Sequence, residues 1–417
     1  MLQNNYDVVV IGGGAGGVAA AIGAAQAGKK ALLVERNSYL GGQATHCSIP
    51  TYDGFFTRHE NSEQIAGGVA SMVMEKLKQY HGCGEPLRSP WGNVMFPVNN
   101  EMTKIVLEEL VMQSGAHLLL NSQLCDVVRS GNTIKSITLL TDGGKINITA
   151  QAFVDASGDG NLVYLSGAEH TSPDVENLQF GSLLTRFGGV ASDADVSPTA
   201  LRAAIAQGKA AGITPLSKDS GFAMRIVGTE DVIAILCNEK VNPLDADSLT
   251  QGQIRARKQA MAYLDTFKRY LPGFEQAYVI NTGPHIGIRE SRHAVGEYAL
   301  TGDDVVNAAT FDDAIARGCW PIERHTSANK MQVYTWIKDD GYYEIPLRSL
   351  KSINIDNLWL AGRIISCDNE AFASVRVMGT AFLTGHAAGI AASMKNTPTE
   401  NDITAIQSEL KRQGALI

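Results

Sequence analysis

The sequence predicts an α/β fold, and three observations carry that prediction. A short apolar run at residues 7–11 leads through a glycine-rich turn into small helix formers, then into a second apolar run at 31–34. Together these make one complete βαβ unit. Turn signals at Ser130-Gly131-Asn132 and Asp142-Gly143-Gly144 separate apolar runs, which predicts a small antiparallel meander. Near the other end, residues 358–361 again read as a short buried strand, followed by an Ala- and Gly-rich helix over 381–393.

Taken in order, residues 7–11 are apolar without alternation, as a strand buried on both faces requires. Gly12, Gly14 and Gly17 fit the spacing G-x-G-x-x-G. Residues 18–27 form the helix, and Gly28 supplies its C-terminal stop. Residues 100–114 read as a helix with Met102, Ile105, Val106 and Leu110 on one face and Gly115 at its end. The runs at 116–120, 123–128, 133–140 and 145–149 follow as strands, and 153–156 returns to a buried strand. The middle, residues 165–350, is mixed and carries no fingerprint. Asp402 caps a last helix that runs to Arg412 and stops at Gly414. No internal repeat, low-complexity tract or long linker interrupts the chain.

Bulk properties narrow the function. A chain of 417 residues is too long for one ordinary core, so two or more lobes are expected. Apolar residues make up 44%, charged residues 19%, and the net charge is −8, a globular balance that argues against a nucleic-acid partner. Six scattered cysteines lack any C-x-x-C pair, so neither a disulfide framework nor a zinc site is predicted, and a cytoplasmic location with reduced thiols follows. No metal is expected. Residues 8–27 are apolar but lack a basic leader and are filled with Gly and Ala, so a membrane partner is not expected.

The glycine-rich turn has a specific chemistry. Gly12 makes the turn, Gly14 lets the backbone approach a pyrophosphate, and Gly17 lets helix and strand pack closely. The helix N-terminus, from Ala15 onward, presents unpaired N–H groups and the positive end of the helix dipole. Glu35, at the end of the second strand, accepts hydrogen bonds from a ribose and disfavours a 2′-phosphate. The unit is a dinucleotide site.

A resemblance narrows the dinucleotide. Glu35 and Arg36, followed by Leu40-Gly41-Gly42-Gln43-Ala44-Thr45, resemble the segment that wraps pyrophosphate and flavin in FAD-dependent oxidoreductases of the glutathione-reductase type. Phe153-Val154-Asp155-Ala156-Ser157-Gly158-Asp159-Gly160 resembles their second nucleotide motif. Leu360-Ala361-Gly362-Arg363, then Ser374-Val375-Arg376-Val377-Met378-Gly379-Thr380 leading into Gly385-His386-Ala387-Ala388-Gly389, resemble their C-terminal flavin motif. With Gly287-Ile288-Arg289-Glu290-Ser291-Arg292, the chain is similar to the broad family of FAD-dependent oxidoreductases distantly related to fumarate reductase flavoproteins. The resemblance covers nearly the whole chain and implies FAD as cofactor, in a Rossmann-type FAD-binding domain made of a parallel sheet plus an antiparallel meander. It implies that residues 1–165 and 351–396 form this discontinuous domain, that 166–350 form an inserted substrate lobe, and that 397–417 form a C-terminal helix. Val127 joins the implied cofactor contacts. The second G-x-G-x-x-G unit of nicotinamide-dependent relatives is absent, which argues against a dedicated NAD(P)H domain, and so is the redox-active cysteine pair of disulfide reductases.

Candidate catalytic residues follow from the segments that the resemblance brings near the flavin. His46 is read as a proton donor, a covalent flavin link or a hydrogen-bonded structural histidine; Cys47 as a thiol near the ring or a small buried filler. Arg289 and Arg292 hold an acidic substrate, stabilise negative charge on reduced flavin, or belong to an ion-pair network with Glu290. His325 is a weaker candidate base. Asp159, Asp368 and Glu370 meet the cofactor or cap loops, and residues 183–187 and 334–337 line the substrate lobe or pack its core. The expected function is hydride transfer between flavin and a small organic substrate, a carboxylate among the options. A flavin-binding protein without net redox turnover, isomerase-like or an assembly subunit, is the alternative. Homo-oligomerisation stays open.

Overall fold

The computed structural model describes residues 3–325, 332–394 and 399–417. The N-terminal half begins with β1 (Asn5–Ile11), α1 (Ala15–Gln26), β2 (Ala31–Val34), the short α2 (Gln43–His46) and β3 (Thr51–Asp53). It continues through α3 (Val69–Gln79), β4 (Leu87–Arg88), β5 (Val94–Pro97), α4 (Asn100–Ser114), β6 (His117–Leu119), β7 (Gln123–Ser130), β8 (Thr133–Thr141) and β9 (Gly144–Asp155). Six of these strands make one sheet in the order β6-β2-β1-β9-β8-β7, parallel from β6 to β9 and antiparallel through β9, β8 and β7. The expected βαβ unit and meander are both present.

Two local expectations change. The strands expected at 145–149 and 153–156 are one strand, β9. Residues 150–152 have no turn chemistry, and β1 pairs across them, with Tyr6 opposite Ala150 and Val8 opposite Ala152. On α4, Ile105 is 41% exposed, and the buried stripe is Thr103, Val106, Leu107, Leu110 and Val111. Both stripes satisfy helical spacing, and the neighbours α1 and α3 select the second.

The rest of the chain adds α5 (Asn161–Ser166), β10 (His170–Thr171), β11 (Gly181–Gly188), α6 (Pro198–Ala210), β12 (Phe222–Arg225), β13 (Val232–Glu239), α7 (Ala246–Tyr270) and β14 (Tyr278–Thr282). Strands β12-β13-β11-β14 form a four-stranded antiparallel sheet. Helices α6 and α7 cover it over a core centred on Phe187, Tyr263, Phe267 and Phe274. Then come β15 (His293–Ala294), α8 (Gly302–Val306), β16 (Ala314–Gly318), β17 (Ile322–Arg324), β18 (Val333–Thr335), β19 (Tyr343–Pro346), β20 (Leu358–Leu360), α9 (Asn369–Val375), α10 (Met378–Met394) and α11 (Glu400–Arg412). Here β20 joins the first sheet alongside the C-terminal half of β9, and α10 lies across α1. The large core runs from Tyr6 to Leu410 and unites both ends of the chain.

The last helix is capped by Thr399, not Asp402; Asp402 sits three residues on and closes a capping box onto the Thr399 N–H and hydroxyl. The expected boundary at 396/397 lies outside the described residues. Among the described residues, no helix is long and apolar enough to cross a membrane.

Candidate active site

The carboxyl ends of β1, β2 and β9 converge on one cleft of about 770 Å³, where an α/β sheet ordinarily receives its ligand. Gly12, at φ +103°, makes the turn out of β1; a Cβ there would lie 2.5 Å from the Ala156 carbonyl oxygen. A Cβ on Gly17 would lie 1.7 Å from the Gly12 oxygen, so Gly17 serves packing and does not face the cleft. At Gly14 the Cβ position is open, with only Gly42 nearby at 3.7 Å. Gly14 caps α1 with no side-chain hydrogen bond, and Ala15 opens the helix into the cleft.

Glu35 lines the same end. Its Oε2 accepts from the Gly13 N–H at 2.6 Å, and Oε1 accepts from the Asn37 backbone N–H at 2.8 Å and its amide at 2.6 Å. A carboxylate has about four acceptor sites, so capacity remains. His46 lies here too, its Nε2 4.0 Å from Glu35 Oε1, sealed and without a hydrogen-bond partner. Its ring stacks on Tyr39. Burial pushes His46 down to about 4, against the pull of Glu35 and with the help of His285, Arg36 and Lys104, so the ring is neutral at pH 7. Exposed Arg36 completes this end with Gly42 and Gln43.

The opposite end is a polar chamber that the sequence reading largely missed. Glu323, on β17, accepts from Trp320 Nε1 at 3.1 Å, from the Tyr334 hydroxyl at 3.0 Å and from Arg376 Nη2 at 3.2 Å. Burial alone would raise its carboxyl; hydrogen bonding by His325, 3.4 Å away, the charge of Arg376 and the Trp320 N–H outweigh it and hold the group below the usual carboxylate range. His325 is pushed down to about 3 by burial and by Arg289. It is therefore a neutral ring beside a carboxylate. Asp53, at the end of β3, is raised to about 7 by burial and by Glu323, and its Oδ1 is sealed without a partner. Lys218, half-buried on the lobe side, is pushed down to about 7 by burial and by Arg289. Neither Asp53 nor Lys218 belongs to a recognisable motif, so local sequence offered no signal for them.

Arg289 and Arg292 part company. Residues 288–292 form no helix. Arg289 lies in the chamber wall, donating to the Phe180 carbonyl and to Ser182 Oγ at 3.2 Å. Arg292 turns out of the cleft: it donates to the Asp159 carbonyl at 2.9 Å and covers the Tyr164 ring at 4.3 Å. Glu290 also faces away, its carboxylate 3.2 Å from His293 Nε2. Arg289 thus bonds neutral acceptors, and no ion pair to it occurs among the described residues. Burial and Arg376 bring Arg289 down to about 10, which leaves it charged at neutral pH.

Cys47 lies between the two ends. Burial pushes its thiol up to about 12, so it stays protonated and packs as a filler. Ser157, Gly158 and Asp159 line the cleft beyond β9, as do Gly362, Arg363 and Arg376. Arg363 clamps these segments together, donating to the Gly158 carbonyl, the Ile288 carbonyl and the Asp159 carboxylate.

Five expected cofactor contacts point elsewhere. Ala44 is buried in the core, and Thr45 donates to the Leu40 carbonyl at 2.7 Å. Val127 sits on β7 opposite Ile137, outside the cleft. A Cβ on Gly379 would meet the Asp53 oxygen at 2.5 Å, so Gly379 packs α10 onto the end of β3. Thr380 is fully buried behind it.

Three comparisons bear on this site. The model of one family, described as FAD dependent oxidoreductase, matches residues 7–410. A soluble pyridine nucleotide transhydrogenase of Marinomonas sp. (strain MWYL1) is 34% identical over 107 residues, which is 26% of this chain and about a fifth (21%) of that protein. The crystal structure of a geranylgeranyl bacteriochlorophyll reductase-like protein from Thermoplasma acidophilum is similar in fold, at TM-score 0.51 and 14% identity, over 99% of this chain and 84% of that one.

Proposed function

The chain belongs to the FAD dependent oxidoreductase family, with FAD as its cofactor, and on that footing we propose that it transfers a hydride between bound flavin and a small organic acid. The observation that carries the substrate side is Arg289: a guanidinium in the chamber wall that bonds neutral acceptors while Glu290 faces away. A desolvated cation of this kind is completed by an anion, and a carboxylate matches its fork.

The cleft residues fit FAD. The uncapped start of α1, the open Cβ position at Gly14 and the sealed Nε2 of His46 beside Glu35 all favour a pyrophosphate and ribose at that end. Gly12, Gly14, Ala15, Glu35, Gly42 and Gln43 would hold the adenosine half, and His46 joins them as a binding residue. Ser157, Gly158, Asp159, Gly362, Arg363 and Arg376 would hold the rest. Bound FAD supplies reversible uptake of a hydride at its ring.

The chain's own groups do the remaining work. Arg289 orients the acid. Lys218 Nζ, part neutral at pH 7, takes or returns a proton. Glu323 stays ionised and holds Arg376, Tyr334 and Trp320 in place. Neutral Cys47 fills space between the two ends of the cleft.

The test is Arg289→Gln. Substrates are found by anaerobic bleaching of the flavin spectrum. With any of them, kcat/KM should fall at least about tenfold, roughly 1.4 kcal/mol of transition-state stabilisation, while FAD content stays the same. Near-normal kcat/KM would make Arg289 a brace for Phe180 and Ser182.

A further inference from the structure

The floor of the chamber is the three-stranded sheet β3-β5-β4. Asp53 pairs with Met95 and Thr51 with Pro97, and cross-strand partners share a face. Asn93, two residues before Met95, keeps that same side. Thr51, Asp53, Asn93 and Met95 all line the cleft, while Tyr52 and Phe96 point the other way into the core.

Three polar atoms on the cleft-facing side are sealed and lack a hydrogen-bond partner: Asp53 Oδ1, Ser89 Oγ and Asn93 Nδ2. Asn93 is only 3% exposed. Buried polar groups are ordinarily hydrogen-bonded, so a cluster of orphans on one face of a cleft points to a ligand. An acceptor and a donor on one face match a molecule that offers the reverse pair. Aromatic walls stand over the floor. Trp91, in the turn between β4 and β5, has its ring 6.2 Å from that of Tyr334. Asp53 and Arg289 line the same cleft as the Glu323–Arg376 pair.

We propose that this sheet is the substrate-recognition floor and that it selects a small acid carrying a hydroxyl or amino group beside its carboxylate. The carboxylate rests on Arg289, a part that depends on the reading above. The hydroxyl or amine donates to Asp53 Oδ1, and the Asn93 amide donates to a neighbouring oxygen. Trp91 and Tyr334 favour a substrate with a ring. Asp53 keeps an acceptor oxygen in either protonation state.

The experiment titrates the FAD-loaded protein, without oxygen, with four probes: lactate against propionate, and mandelate against phenylacetate. The readout is the visible flavin spectrum; bleaching in place of a shift counts as binding followed by turnover. In the parent protein each hydroxy acid should bind at least about tenfold more tightly than its deoxy partner. In Asp53→Ala and in Asn93→Ala that preference should shrink toward one, with propionate and phenylacetate binding unchanged and FAD still bound. An unchanged preference in both variants overturns the proposal and leaves the Arg289 reading intact. Loss of FAD from both variants assigns the two atoms to the cofactor and also overturns it. Binding of the deoxy acids equal to that of the hydroxy acids in the parent does the same. If no probe perturbs the parent, the proposed floor and the Arg289 reading fall together; Arg289→Gln, which should abolish all four responses, separates the two in every other case.

Discussion

At the scale of the residue, the site turns on groups whose burial changes what they can do. Asp53 titrates near pH 7 in the fold instead of in the ordinary carboxylate range, because burial comes first and Glu323 adds to it. The folded chain therefore binds this proton more tightly than the unfolded chain does. The stability tied to it is present at low pH and is lost as pH rises from about 4 to about 7. Asparagine cannot ionise, so Asp53→Asn should gain on the parent over that window. Melting temperatures of flavin-free protein at about pH 4 and about pH 8 check this: the variant's advantage should be larger at the higher pH, and a pH-independent difference would contradict it. Burial raises Cys47 in the same direction. A thiol pushed up to about 12 in a buried position is a poor nucleophile, so iodoacetamide near neutral pH should spare Cys47 in the folded protein and label it after denaturation. Peptide mass spectrometry reads both states, and labelling of folded protein would return Cys47 to the list of reactive groups.

At the scale of the element, the crossing of α1 and α10 holds the two ends of the chain together. It depends on absent side chains. A Cβ on Gly385 would lie 2.0 Å from the Gly16 carbonyl oxygen, and one on Gly389 would lie 2.0 Å from that of Ala20. Gly385→Ala should therefore cost about 1–3 kcal/mol through overpacking, seen as a lower urea midpoint. It should also weaken FAD binding, because the N-terminus of α1 must move away. Gly143→Ala is the control: its nearest neighbour would be Thr141 Oγ1 at 3.7 Å, an ordinary contact, and the midpoint should stay within about 0.5 kcal/mol of the parent. Equal midpoints for the two variants would mean that the helices part without penalty.

At the scale of the molecule, the chain buries two main cores. The larger unites both termini around the first sheet, and the smaller lies under α6 and α7. Phe267 is fully buried in the smaller one, edge to face with Phe187 and Phe274. Phe267→Ala should cost about 3–5 kcal/mol in chemical denaturation. The FAD dissociation constant of the folded variant should stay within about twofold of the parent, since this core shares no residue with the cleft end at Gly12, Glu35 and His46. A parallel loss of FAD affinity would show that the lobe and the cofactor end are tightly coupled.

The sequence by itself determined what depends on neighbours along the chain. The βαβ unit over residues 5–35, the hairpins of the meander and the bounds of α4 were legible because apolar period, turn residues and caps act within a few positions. The glycine spacing at 12–17 likewise carried the turn that opens α1 onto the cleft, and the family resemblance carried FAD. Only the tertiary structure decided which of two allowed faces α4 buries, that Arg289 enters the chamber while Arg292 leaves it, and that residues 150–152 stay extended. It alone brought Asp53, Asn93, Lys218 and Glu323 to one cleft from four distant segments. The reason is physical. Local pattern encodes how a segment folds, whereas the pKa, the missing partner and the direction of a side chain come from what long-range packing sets against it.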